Sequence, residues 1–350
     1  MSFYFTGVGS HYHDKKIEML YRNFNGHYPR GFYLLPKLRI TPGLFQLLFK
    51  DQDIFIKTLD DRFAIPLIFL FAKILRKPII LWSGFWMHPQ TSFHKLSYGL
   101  TKFIYRHSDA IIVYGEHVKR YLRDLGIKER KIFCAPHAVD NALFNKSISL
   151  EDQRELKQKL ELAENKIVLY VGRLEECKGL KYLVEAISKI KNLSIALLFI
   201  GGGALKQSLE EQCRVAGIKC HFLDYINNQE LYRYYAIADV FVLPSITTKY
   251  FKEPWGLVVN EAMNQGCPIV VTDAVGAAQG GLVENGKNGF IVPERNSEAL
   301  RERIEYLFGH EDVRSQMSQR SKEKIKDWTH ERMVRGFYEV IHFVSEKGKV

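Results

Sequence analysis

Short apolar runs alternate with amphipathic stretches along most of this chain, and that alternation sets the expected fold class. DIFIKT (53–58) leads into the helix-like AIPLIFLFAKILR. KPIILWSG (77–84) precedes a segment that ends in another run, HSDAIIVYG (107–115). EHVKRYLRDLG spaces its apolar residues as a helix does and stops at glycine, and KIFCAPHAVD (131–140) closes this half. The style then repeats. KIVLYVGRL (166–174) precedes KGLKYLVEAISKI, LSIALLFIGGG (193–203) precedes ALKQSLEEQCRVAG, and HFLDYI (221–226) precedes NQELYRYYAIA. DVFVLPS (239–245), CPIVVTD (267–273) and NGFIVP (288–293) complete the series. Apolar runs of this kind suit strands buried on both faces, and their alternation with helices of about 10–15 residues predicts βαβ units and parallel sheets.

The polar stretch NKSISLEDQRELKQKLELAEN (145–165) separates the two sets. The chain is therefore expected to be an α/β protein of two domains, 1–150 and 151–330, with a last helix over 331–350 that packs back toward the first. The opening 50 residues carry little pattern, although SFYFTGVG (2–9) resembles a strand with a glycine turn at Gly7 and Gly9. Ligands of open α/β sheets bind beyond the carboxyl ends of the strands, so the chemistry is sought in those loops.

Charge changes the picture in one half only. Residues 1–140 hold 21 Lys and Arg against 11 Asp and Glu, whereas the remainder holds 29 against 28. A basic first half suggests an anionic partner: nucleic acid, a phosphorylated substrate or an anionic membrane surface; the plainer alternative is solubility alone. The five cysteines include no C-x-x-C, so neither a zinc site nor a disulfide framework is expected, and a reducing cytosol is the natural compartment. No secretory leader pattern opens the chain. The apolar stretch FAIPLIFLFAKIL (63–75) is shorter than the roughly 20 residues that span a bilayer, and it is expected to be a buried helix.

Two loops concentrate candidate chemistry. After KIVLYVG the chain reads GRLEECKGL, with Gly172, Arg173 and Lys178, and a helix is expected to begin near Gly179. Two cations beside a helix N-terminus suit a diphosphate; the alternative is a polar connecting loop. After DVFVLPS comes KEPWGLVVNEAMNQGCPIVVTD (252–273), in which Glu253 and Glu261 are separated by seven residues. Pro254 suits the first helical position and Gly266 a left-handed stop. The amides of Trp255, Gly256, Leu257 and Val258 would then be free donors at the helix start, with Glu261 about two turns in. A carboxylate before the helix and one within it can accept from two sets of hydroxyls, as in a sugar joined through phosphate to a ribose. The alternative is two solvated helix carboxylates.

These two loops, together with HAVDNALF (137–144) and GLVENGKNGFIVP (281–293), resemble the retaining glycosyltransferases of family 4, which have the GT-B fold. The ordered set covers about residues 77–310. The resemblance implies two Rossmann-like domains facing each other across a cleft, with the acceptor on the first and a nucleotide-sugar donor on the second. By motif position, Arg173 and Lys178, with Gly172, Leu257 and Val258, would hold the donor diphosphate. Glu253, Trp255 and Gly256 would meet the donor sugar, and Glu261 the ribose hydroxyls. Tyr225 and Ile226 lie where relatives hold the nucleobase. In the loop GFWMHPQTSFHK, His88 is the candidate for the residue facing the anomeric carbon, later after its strand than in most relatives, and His94 is second. The family needs no divalent metal at the donor site, so no cofactor is expected, and DQD (51–53) precedes its strand and is not read as a metal motif.

The reading that follows is transfer of a UDP- or GDP-linked sugar to a hydroxyl acceptor, lipid-linked or phosphorylated, in surface polysaccharide or lipid-linked glycan synthesis. Such an enzyme would be cytoplasmic and peripheral on an anionic membrane surface. A GT-B epimerase or phosphorylase, an inactive sugar-binding scaffold and a basic nucleic-acid binder are the competing readings. No recognition motif supports the last. LLFIGGGALKQ (197–207) is not a dinucleotide fingerprint and is read as a tight turn. Cys177 sits beside Lys178, so thiol alkylation is expected to inhibit.

Overall fold

The computed structural model describes residues 3–4, 26–27, 30–35, 38–59, 63–191 and 193–347. Gly7 and Gly9 lie outside the described residues. Strand β1 (Phe3–Tyr4) pairs in parallel with β2 (Gly26–His27), and β3 (Phe32–Leu35) forms a hairpin with β4 (Leu38–Ile40). A parallel sheet follows in the order β5 (Phe55–Thr58), β6 (Ile79–Ser83), β7 (Ala110–Val113) and β8 (Ile132–Cys134). Its connections are α1 (Ala64–Ile74), α2 (Ser92–His107) and α3 (Glu116–Asp124).

After α4 (Asn141–Phe144) and α5 (Leu150–Lys159) comes a second parallel sheet, ordered β11–β10–β9–β12–β13–β14. Its strands are β9 (Lys166–Val171), β10 (Ile195–Ile200), β11 (Lys219–Leu223), β12 (Val240–Leu243), β13 (Ile269–Thr272) and β14 (Gly289–Val292). The helices around it are α6 (Leu180–Ser188), α7 (Lys206–Val215), α8 (Asn228–Ala236), α9 (Leu257–Asn264), α10 (Gly276–Gln279), α11 (Ser297–Gly309) and α12 (Glu311–Ile325). The chain ends in α13 (His330–Lys347). From β9 the path steps out through β10 and β11, then returns to place β12 on the other side of β9. That reversal opens a crevice beyond the carboxyl ends of β9 and β12, where α/β sheets bind ligands.

Successive strand residues face opposite sides of a sheet, and in the first sheet both sides are apolar. Ile79, Leu81, Ile111 and Val113 pack with Ile68 and Phe71 of α1, Ile104 of α2 and Leu122 of α3. Ile80 and Ile112 face the other way, where Val340 and Val344 of α13 cover them. A Cβ on Gly336 would stand 2.6 Å from the Cys134 carbonyl, so α13 lies close against the end of β8 only because that residue is glycine.

The apolar stretch at 63–75 differs from the expectation of a buried helix. Helix α1 buries Ile68, Phe71 and Ala72, but Leu70 and Ile74 are 53% and 60% exposed. A helix lying on one face of a sheet buries a single stripe at its 3.6-residue period, so residues that are apolar all round leave the outer stripe uncovered.

Candidate active site

The loops that follow β9 and β12 touch at the crevice. Glu176–Lys178 form a single 3₁₀ turn, and Gly179 then takes φ +65°. A Cβ there would lie 2.1 Å from the Pro244 carbonyl oxygen, so glycine is required both by the backbone and by the contact. The turn delivers Lys178 to Glu253: its ammonium donates to Glu253 Oε2, and Ser245 Oγ donates to the same oxygen at 3.0 Å. Both charged residues are buried, 9% and 6% exposed, so neither tolerates loss of its partner. The Lys178 Nζ also lies 5.5 Å from the Phe251 ring centroid.

The backbone of Glu253 is fixed from several directions. It forms a parallel bridge with Val275, and its carbonyl accepts from the Gly276 amide at 3.1 Å and from Trp86 Nε1 at 3.0 Å. The next carbonyl, of Pro254, accepts from His117 Nε2 at 2.9 Å. A carbonyl can only accept, so Nε2 carries the proton and Nδ1 is a bare lone pair, buried without a partner. Burial lowers the pKa of His117 to about 4, which keeps the ring neutral in this role. Lys252 Nζ stands 3.8 Å from the Trp86 ring centroid, in cation–π range. Four consecutive residues, 252–255, are thus held by the first sheet's loops or the core.

This tethering corrects the expected helix start. The bridge to Val275 keeps Glu253 extended, and Gly256 at φ +91° turns the chain into α9, whose first residue is Leu257. Pro254 is therefore not the first helical residue, and Trp255 and Gly256 precede the helix. The side chain of Trp255 is in the core, 2% exposed, and its Nε1 donates to Asn260 Oδ1 at 2.8 Å. Asn260 in turn donates to the His137 carbonyl at 3.1 Å, another link between the two halves. Leu257 and Val258 do open the helix, and Gly266 ends it at φ +74°. Glu261 lies about one turn in, closer to the start than expected. It is half-buried and accepts from the Tyr235 hydroxyl at 2.6 Å. Burial pushes its carboxyl up to about 7, while the Tyr235 hydrogen bond acts in the other direction.

The remaining candidates are spread around this centre. Gly172 follows β9 at φ +147°, and Arg173 is exposed, paired with Glu175 at 2.8 Å. Tyr225 and Ile226 follow β11 in a loop; Tyr225 is 79% exposed and Ile226 half-buried. His88 Nε2 donates to the His94 carbonyl at 2.7 Å and its ring packs on Tyr98. Both histidines line a cavity of the first half. Cys177 is buried, and burial pushes its thiol pKa up, against the expectation of ready alkylation. No group of three or more His, Cys, Asp or Glu placed to hold a metal ion occurs among the described residues.

The sequence reading missed Trp86, His117 and Ser245. Trp86 and His117 follow the ends of β6 and β7, where functional side chains of such sheets belong, and that position was the available signal. Ser245 closes the run DVFVLPS for the same reason.

Two parallel sheets meeting at loops of this kind form the GT-B fold. Residues 152–324 match the sequence profile of the family Glycosyl transferases group 1. Over 176 residues the chain is 31% identical to an uncharacterised glycosyltransferase of Methanocaldococcus jannaschii, covering 49% of this chain and 43% of that one. It is 24% identical over 269 residues to an alpha-D-kanosaminyltransferase of Streptomyces kanamyceticus, covering 72% and 66%. The chain thus spans less than two thirds of either relative. In fold it is similar to Anabaena HepE, solved in complex with UDP, with a TM-score of 0.78 at 17% identity, over 98% of this chain and 91% of that one.

Proposed function

We propose that the protein is a retaining glycosyltransferase that moves a sugar from a nucleoside-diphosphate sugar, UDP- or GDP-linked, to a hydroxyl acceptor in polysaccharide or lipid-linked glycan synthesis. The observation that carries this reading is the Lys178–Glu253 pair at the crevice between β9 and β12, inside the group 1 segment. Anabaena HepE, similar in fold, has been solved with UDP-glucose, which supports a donor of this class.

In this reading the diphosphate lies against Lys178, Arg173, the Gly172 turn and the first amides of α9. Ammonium, guanidinium and helix N-terminus together stabilise the departing charge, the electrostatic task given elsewhere to a metal ion. Transfer breaks the bond from the anomeric carbon to the phosphate oxygen and forms one to the acceptor oxygen; the acceptor proton leaves with the released nucleoside diphosphate. Glu253 orients the sugar, Glu261 takes the ribose hydroxyls, and His88 lies on the acceptor side. Tyr225 and Ile226 border the base.

The test is a donor panel read by mass spectrometry for released nucleoside diphosphate, with the product's anomeric configuration read by NMR and EDTA included in parallel. Release from one donor, retained configuration and indifference to EDTA are expected. Inverted product would end the retaining assignment, and epimerised donor without transfer would favour the epimerase.

A further inference from the structure

The first half holds a cavity of about 360 Å³ beside the crevice. Its walls are mostly apolar, from Leu59 and Ile65, Leu81 of β6, Met87, and Leu100 and Ile104 of α2. Polar groups enter from His88, His94 and Thr101. The second half closes one side with Tyr250, three residues before Glu253, and the neighbouring Lys249 carbonyl accepts from the Gln90 amide at 2.5 Å. The cavity is therefore an apolar chamber next to the candidate donor glutamate, of a size that suits a small organic group.

Its surroundings indicate where that group comes from. Leu100 lines the cavity and is also 51% exposed, so the chamber reaches the surface along α2. On that helix Leu96, Leu100 and Phe103 recur at four- and three-residue spacing and are 88%, 51% and 49% exposed. On α1, Pro66 lines the cavity, and Leu70 and Ile74 continue its stripe outward, four residues apart. Phe69 and Phe103 join the two helices edge to face at 6.0 Å. Lys73 of α1, Arg76 in the turn just after it, and Lys95 and Arg106 of α2 are exposed. Two uncovered apolar stripes edged with cations fit the interface of an anionic bilayer.

We propose that this cavity binds the aliphatic chain of a membrane-borne acceptor, with the stripes of α1 and α2 resting on the bilayer that supplies it. The word acceptor rests on the glycosyl-transfer reading; the binding of the chain does not. The chain would enter past Leu100, and the polar head it carries would lie toward His88 and the crevice.

Dodecyl phosphate, kept below its micelle concentration, is titrated calorimetrically into the full chain, with inorganic phosphate as control. One-to-one binding of dodecyl phosphate is expected, and none of phosphate. Ser97→Trp, which fills the cavity, and Leu100→Glu, which charges its entrance, should each weaken binding by at least about tenfold. Both variants should keep the wild-type thermal shift with nucleotide, which excludes misfolding. Leu96→Glu should abolish co-sedimentation with phosphatidylcholine–phosphatidylglycerol vesicles. Absent binding by the wild type, equal binding by both cavity variants, or phosphate binding as tightly as its dodecyl ester would overturn the proposal. A wild type that ignores the vesicles would overturn the bilayer as the source. Dodecyl phosphate binding without any nucleotide shift would leave the cavity assignment standing and remove the transferase reading instead.

Discussion

The indole of Trp86 donates to the backbone carbonyl of Glu253 at 3.0 Å, across 167 positions of sequence. With His117 on the next carbonyl, the first half of the molecule fixes the peptide whose carboxylate meets Lys178. The same two hydrogen bonds thus join the halves and place Glu253. Trp86→Phe keeps a smaller aromatic face for Lys252 and removes the donor. It should cost about 1 kcal/mol of stability, as one net hydrogen bond does. Turnover should fall more, by about 10- to 100-fold, because small displacements at a reacting centre are expensive. Steady-state kinetics beside thermal melts check this; a turnover change no larger than the stability change would make the contact merely structural.

Removing either member of the Lys178–Glu253 pair leaves a buried uncompensated charge. Lys178→Met or Glu253→Leu alone should destabilise by about 3–5 kcal/mol, and the double variant should be more stable than either. All three should be inactive. Denaturant melts decide the point, with strictly additive losses as the contrary result. Both residues sit in loops, where a sequence alone suggests that substitution spares the fold, but their burial overrides that inference.

If Glu261 takes the ribose hydroxyls as proposed, donor binding should depend on pH. Its folded pKa of about 7 lies above the ordinary carboxylate value of about 4.3. The folded state therefore holds the extra proton between those values, and the stability this contributes is complete below the lower one and lost as pH rises through about 7. Binding is expected to run the other way, because an ionised Glu261 would accept from ribose hydroxyls and a protonated one less well. Affinity for a nucleoside-diphosphate sugar should rise between about pH 6 and pH 8, across this transition. Calorimetry over that range should find the rise in wild type and its absence in Glu261→Gln; identical profiles would separate Glu261 from the ribose.

The sheets were legible because buried parallel strands read as continuous apolar runs, and β9, β10, β12 and β13 fall inside the runs that announced them. Glu253, Glu261, Arg173 and Lys178 were legible as residue types in strand-end loops. What stayed hidden depends on tertiary contact. Lys178 and Glu253 are 75 positions apart, and nothing local pairs them. Trp86 and His117 act on backbone carbonyls, which leave no trace in the partner's residue type. The α9 start was misplaced for a related reason: proline favours a first helical position, but the Glu253–Val275 bridge outweighs that local preference.

Thermal melting against UDP, GDP, ADP, CMP, NAD and the common UDP- and GDP-sugars tests whether a nucleoside-diphosphate sugar binds at the crevice between β9 and β12. A ligand of the folded state at about 100 times its dissociation constant adds about 2.7 kcal/mol, which a melt resolves readily. Arg173 is exposed, so Arg173→Ala should fold normally and separate binding from stability. A shift with one nucleoside diphosphate and its sugar, weakened in Arg173→Ala, is the expected result. A shift with NAD alone, or one that Arg173→Ala leaves untouched, would contradict it.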